Sequence, residues 1–305
     1  MKVTANGLEF EVEINEPADI EITPDTPTVL LIMGLGMQLV AWPIAFVNAL
    51  TRAGYRVVRL DNRDIGLSHK TSAPMPSLVW MALKYRVRLP IAAAYTLRDM
   101  VEDTRGVLDA LNIARCHVIG VSMGGMIAQG LASHHPSRVA SLTSIMSTTG
   151  ARGLPQATSK AAMALLSRPK SRKRDDIVNH FVRVLATIGS PKFPMPEAEL
   201  RQRIGEAFDR SFYPAGTIKQ MAAIMASGDR SEEVRRITVP TLVIHGRDDP
   251  LVPLKNGEDT GKKVAGSEYT VIDGMGHDLG ALAEVTARVL TFLQRHTPPK
   301  KLSTL

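Results

Sequence analysis

The chain has 305 residues, of which 44 % are hydrophobic and 22 % charged, with a net charge of +7. Such values fit a soluble globular protein with a sizeable core, and no apolar run approaches the roughly 20 residues that a bilayer-spanning helix needs. The single cysteine, Cys116, excludes an intrachain disulfide framework, and its place in the apolar run CHVIGV predicts a buried, inert thiol. The N-terminus alternates apolar and charged residues without the unbroken apolar stretch of a secretory signal, so a cytoplasmic protein is expected. Basic residues collect at 167–174 and 298–301, but no aromatic residues are interleaved with them. They read as solvated surface rather than as a nucleic-acid site.

Segments 8–14 and 20–23 predict an antiparallel edge, after which the first buried strand is expected at 29–33. A helical spacing covers 42–52, and a second buried strand is expected at 56–60. The irregular stretch 74–94 holds Trp80, Met81, Tyr85 and Ile91, which are expected to line a pocket. Helix 97–111, strand 117–121, helix 123–134 and strand 142–146 then continue the alternation. It fails between about residues 150 and 234, where helical patterns such as 161–166 occur with Gly189, Pro191, Pro194 and Pro196 as breakers. Strand 241–245, helix 253–264, strand 269–272 and helix 277–295 resume it. The order predicts an α/β fold with a mostly parallel, eight-stranded sheet covered by helices on both faces. Residues 1–149 and 235–305 would form the core. Residues 150–234 would form a helical cap or lid over a site beyond the strands' carboxyl ends, or a packed subdomain without gating.

The chemistry centres on GVSMGG at 120–125, a G-x-S-x-G pattern lying between a predicted strand and a predicted helix. There a serine on a sharp turn projects beyond the sheet, and flanking glycines, here Gly120 and Gly124, let strand and helix approach. Ser122 is therefore the candidate nucleophile, and a serine hydroxyl needs a base to take its proton. Of eight histidines, His277 follows the last predicted strand on a loop whose Gly274 and Gly276 let it fold back. His134 and His135 lie about 18 Å along the helix from Ser122. His69, His117, His245 and His296 read as structural or surface residues.

A carboxylate should fix the histidine tautomer. The loop HGRDDPLVP offers Asp248 and Asp249, of which Asp249 is preferred. Backbone amides should meet the developing oxyanion. Met123, directly after the nucleophile, supplies one; Leu35 in the loop MGLGM is chosen for the second, with Gly36 next. Gly34 and Gly36 lack the third glycine of a dinucleotide-binding turn, so no cofactor and no metal are expected.

Together LIMGLG, DNRDIGLS, GVSMGG, HGRDDPLVP and GMGH, in that order, resemble the α/β-hydrolase superfamily over nearly the whole chain. Within it, LIMGLG and DNRDIGLS are similar to segments of serine esterases akin to aclacinomycin methylesterase. The resemblance implies carboxylic ester cleavage, a helical cap between the sixth and seventh strands, the acid at Asp249, and structural roles for Asp61, Arg63 and Ser68. Many relatives have His-Gly where this chain has Met33–Gly34, which leaves the backbone donor intact.

The expected activity is hydrolysis of a small-molecule carboxylic ester through an acyl-enzyme. Lactone, amide or peptide, or C–C bond hydrolysis and perhydrolysis by the same triad remain alternatives, as does a non-catalytic ligand receptor. A homodimer is left open.

Overall fold

Runs of Val, Ile and Leu form the inner strands of one sheet, because alternate side chains bury on opposite faces. The computed structural model describes residues 1–18, 20–23, 25–87 and 89–298, apart from the side chains of residues 82 and 86. Most of the basic tail at 298–301 thus lies outside the described residues. The described strands are β1 (Lys2–Ala5), β2 (Leu8–Asn15), β3 (Thr28–Ile32), β4 (Arg56–Leu60), β5 (Cys116–Val121), β6 (Val139–Ile145), β7 (Thr241–Gly246) and β8 (Glu268–Ile272). They form one eight-stranded sheet in the order β1-β2-β4-β3-β5-β6-β7-β8, in which β2 runs antiparallel to both its neighbours, β1 and β4, and all other neighbouring pairs are parallel.

The antiparallel edge is made by β1 and β2. Residues 20–23, expected to be a strand, are irregular. Lys2 to Ala5 pair with Glu11 to Leu8 instead, so the N-terminal residues occupy the edge.

On β3, Leu30 and Ile32 pack with Val58, Val118 and Leu142 beneath α3 (Leu97–Ala110) and α4 (Met123–His134). Val29 and Leu31 face the other way with Val57, Ile119 and Ile244, beneath α1 (Ile44–Arg52) and α11 (Leu282–His296). Thr96 begins α3 with a reciprocal capping box to Asp99. Cys116 is buried, and burial pushes its thiol up to about 12, which keeps it an unreactive thiol at neutral pH.

Between β4 and α3 lies α2 (Leu78–Arg86); between β7 and β8 lies α10 (Lys255–Lys263). The segment between β6 and β7 holds α5 (Ser159–Leu166), α6 (Arg174–Ile188), α7 (Glu197–Arg210), α8 (Pro214–Ser227) and α9 (Ser231–Arg235), and no strand among its described residues. No described helix is long and apolar enough to cross a membrane. The chain runs from β3 to β4 on one side and reaches β5 on the other, so the sheet's direction of winding switches between β3 and β5. A ligand crevice opens at such a switch, beyond the strands' carboxyl ends.

Candidate active site

Ser122 stands at that switch, between β5 and α4, with φ 53° and ψ −119°. This region of backbone space is strained for a residue with a side chain, and it throws the hydroxyl out of the strand. The turn is held by Ser122 N–H donating to Ile145 O at 2.9 Å and by Ser147 Oγ donating to Ser122 O at 2.8 Å. A Cβ on Gly120 would lie 2.2 Å from Gly124 O, and one on Gly124 would lie 2.1 Å from Ile32 O. Both positions exclude any side chain, which explains the G-x-S-x-G spacing physically. The positive end of α4 also points at the serine.

His277 and Asp249 come to Ser122 from loops after β8 and β7. The Ser122 hydroxyl meets His277 Nε2 at 2.9 Å, and His277 Nδ1 meets Asp249 Oδ2 at 2.7 Å. The other carboxylate oxygen, Oδ1, accepts from Leu251 N at 2.9 Å and Val252 N at 2.8 Å. Asp249 is thus buried with all its acceptors engaged. Asp248, by contrast, is exposed, and its Oδ2 accepts the Gly274 amide at 2.8 Å. Beside the pair, His245 is buried and burial holds its pKa down; its Nε2 donates to Val252 O at 2.7 Å. It is therefore a neutral neighbour 3.7 Å from Asp249 Oδ2.

His277 lies in a loop rather than in the last helix, which begins at Leu282, five residues later than the periodicity predicts. The delay has a visible cause. His277 N–H donates to Ile188 O at 2.7 Å, and Asp278 Oδ1 accepts from Gly280 N at 2.9 Å. Those bonds commit the loop's polar groups outside a helix. Ser190 links both sides: it donates to Asp278 and accepts from Gly276 N at 2.9 Å.

Opposite the histidine, the loop after β3 faces the nucleophile; a Cβ on Gly34 would come within 3.2 Å of Ser122 Cβ. The Gly36 amide donates to Gln220 Oε1 on α8 at 2.9 Å, while Gln220 Nε2 donates to Arg63 O at 2.8 Å. Gly36 is thereby occupied. Among the described residues, the Leu35 and Met123 amides have no acceptor, and Met123 is the first residue of α4, where helix amides lack partners. Gln38 and Arg210 hold the loop's far end: Gln38 Nε2 donates to Ala207 O and Ser211 O, and Arg210 reaches both Gln38 and Asp61 at 2.7 Å. Asp61 further accepts from the Leu39 and Leu67 amides, Ser68 Oγ donates to Asp61 O, and Arg63 pairs with Asp103. These three residues of DNRDIGLS are structural ties.

Residues 150–234 therefore supply ties to the serine's surroundings from two sides, through Ser190 and Gln220. Neither stands out in the sequence. Each acts across a long separation, with no local pattern to mark it. Among the residues expected to line a pocket, Met81 is buried, whereas Trp80 and Tyr85 are exposed to solvent. His117 bonds Ser141 Oγ at 2.8 Å, and burial pushes its pKa to about 4, a neutral structural histidine. No group of three His, Cys, Asp or Glu side chains among the described residues is placed to hold a metal ion.

A family model for the α/β hydrolase fold matches residues 27–281. RutD of Variovorax paradoxus, named as a candidate carbamate hydrolase, is 28% identical over 300 residues, covering 96% of this chain and 98% of its own. The rhodomycin D methylesterase DauP of a Streptomyces species is 25% identical over 286 residues, 87% of each chain. The crystal structure of the enol-lactonase from Burkholderia xenovorans superposes with a TM-score of 0.72 at 22% identity, covering 96% of this chain and all of that one, a likeness of fold. With the sheet order, the serine turn and a match spanning most of its length, the chain belongs to the α/β-hydrolase fold family, among relatives that include methylesterases.

Proposed function

We propose that the protein is a carboxylic ester hydrolase that works through an acyl-enzyme, with Ser122, His277 and Asp249 as its triad. The observation that carries this reading is the unbroken line from the Ser122 hydroxyl through His277 to Asp249. Ser122 Oγ attacks the ester carbonyl carbon as His277 Nε2 takes its proton. The negative oxygen is met by the Leu35 and Met123 amides. When the intermediate collapses, the C–O bond to the alcohol breaks, and His277 returns the proton to the leaving oxygen. Water, deprotonated by His277, then attacks the acyl-serine; the C–O bond to Ser122 Oγ breaks as His277 returns the proton to that oxygen, and the acid leaves. Asp249 keeps the proton of His277 on Nδ1 throughout.

An ester is favoured over other acyl substrates by the methylesterase relative. In this reading residues 1–149 and 235–305 are the catalytic core, and 150–234 are a cap that also positions its loops. The test is a panel of p-nitrophenyl esters graded by acyl length, methyl esters, lactones, carbamates and aryl amides, with acid-quenched mass spectrometry of the Ser122 peptide. Ester turnover with an acyl adduct on Ser122 is expected. Turnover of lactones or carbamates alone would overturn the ester assignment and leave the triad standing; no adduct with any substrate would remove both.

The cap's contribution has its own readout. Gln220→Ala leaves the Gly36 amide and the Arg63 carbonyl without their partner, and loosens the loop that presents Leu35. A fall in kcat of roughly tenfold is expected, equivalent to about 1.4 kcal/mol in the barrier, with KM nearly unchanged. Unchanged kcat would show that the loop holds itself.

A further inference from the structure

We propose that α2 and its described flanks, residues 75–87 and 89, form a docking surface for anionic lipid bilayers. Of the sixteen large apolar side chains exposed among the described residues, seven fall in this stretch: Met75, Val79, Trp80, Leu83, Tyr85, Val87 and Leu89. A concentration of that kind marks an interaction surface, since soluble proteins scatter such residues singly. Their spacing gives the surface a direction. Val79, Trp80, Leu83 and Val87 recur at i, i+1, i+4 and i+8, an arc of about 100° on a helix. Met81, on another side of α2, is buried, and α2 lies against α8.

Charge selects the occupant. From residue 65 to residue 98 the sequence contains no Asp or Glu, while within and just after α2 it carries Lys84, Arg86 and Arg88; Lys70, half-buried with its ammonium on Gly66 O and over the Tyr213 ring, and Arg98, paired with Glu102, already have partners. Basic residues next to exposed Trp, Leu and Val suit the boundary between anionic headgroups and acyl chains, where an apolar helix face sinks in and cations meet phosphates. A second copy of the chain fits less well, because pairing this face with itself would oppose cations of the same run. The nine residues of α2 are too few to cross a bilayer, so the contact is parallel to the surface. Docking would also bring α8, and with it Gln220 and the Gly36 loop, close to the membrane.

Trp80 provides the measurement. It is 63% exposed, whereas the other tryptophan, Trp42, is 2% exposed and stacked on Phe46, so an emission change on binding reports Trp80. Vesicles of mixed phosphatidylglycerol and phosphatidylcholine are expected to co-sediment with the protein and shift its emission to the blue. Pure phosphatidylcholine should do so at least tenfold more weakly, and 1 M salt should release the protein, because the screening length there is only about 3 Å. Val79→Asp, and separately Lys84→Glu with Arg86→Glu and Arg88→Glu, should each weaken binding at least tenfold without lowering the melting temperature. Trp80→Phe should abolish the emission shift. Equal binding to both vesicle types, or none to either, overturns the proposal. So does a dimer in sedimentation equilibrium that Val79→Asp dissociates while wild-type protein ignores vesicles.

Discussion

Ser122→Ala is expected to lower turnover of a short-chain p-nitrophenyl ester by about a million-fold, down to the level left by substrate binding and the oxyanion amides alone. The substitution removes one oxygen atom, and with it the only hydroxyl among the described residues that hydrogen-bonds His277 Nε2. Little else should change. The strained turn is fixed by the Ser122 backbone, through Ile145 O and Ser147 Oγ, and both bonds survive in alanine. The melting temperature should therefore stay within a few degrees, since one partly buried hydrogen bond is worth about 1 kcal/mol. Parallel labelling with a fluorophosphonate separates an enzyme from a ligand receptor built on the same fold. An enzyme reacts with the probe and turns over esters; a receptor reacts but turns over little. Activity retained in Ser122→Ala would remove Ser122 from the chemistry altogether.

Much of the fold is legible in the sequence because burial on both faces leaves a strong mark. Strands β3 to β8 read as short Val, Ile and Leu runs, since every position of β3, β5 and β7 and nearly every one of β4 and β6 is buried. The edge reads less well: residues 20–23 have the composition of a strand, but residues 2–5 reach β2 first through a tight turn at Asn6 and Gly7, both with positive φ. The start of α11 is misplaced for a different reason. Apolar periodicity continues back through residues 277–281, yet Asp278 and the His277 amide are bound to the Ile188–Ser190 region, a tertiary interaction that outweighs local propensity.

The candidate site divides along the same line. Ser122, Asp249 and His277 each follow a strand and sit among glycines or a proline, so position and chemistry both mark them in the sequence. Gln220 and Ser190 carry no such mark, because their partners are 184 and 86 residues away. Trp80 and Tyr85 mislead in the opposite direction. Aromatic residues in an irregular stretch suggest a lined pocket, whereas here they lie on the outside of α2, where only a surface partner would bury them.

Asp249→Asn should lower kcat by about 10⁴-fold while leaving KM within a few-fold. The reason lies in how the loop pins the side chain. Oδ1 accepts two backbone amides, from Leu251 and Val252, so the asparagine oxygen must stay there; turning the amide round would point its NH2 at two N–H groups. The NH2 then faces His277 Nδ1, which must become an acceptor, and the ring proton moves to Nε2. That nitrogen can no longer take the proton of Ser122. Asp248→Asn makes the matched control, because an exposed asparagine still offers an oxygen to the Gly274 amide, and it should change kcat less than threefold, or about 0.6 kcal/mol. Equal losses in the two variants, or full activity in Asp249→Asn, would show that the carboxylate beside His277 does not set its tautomer.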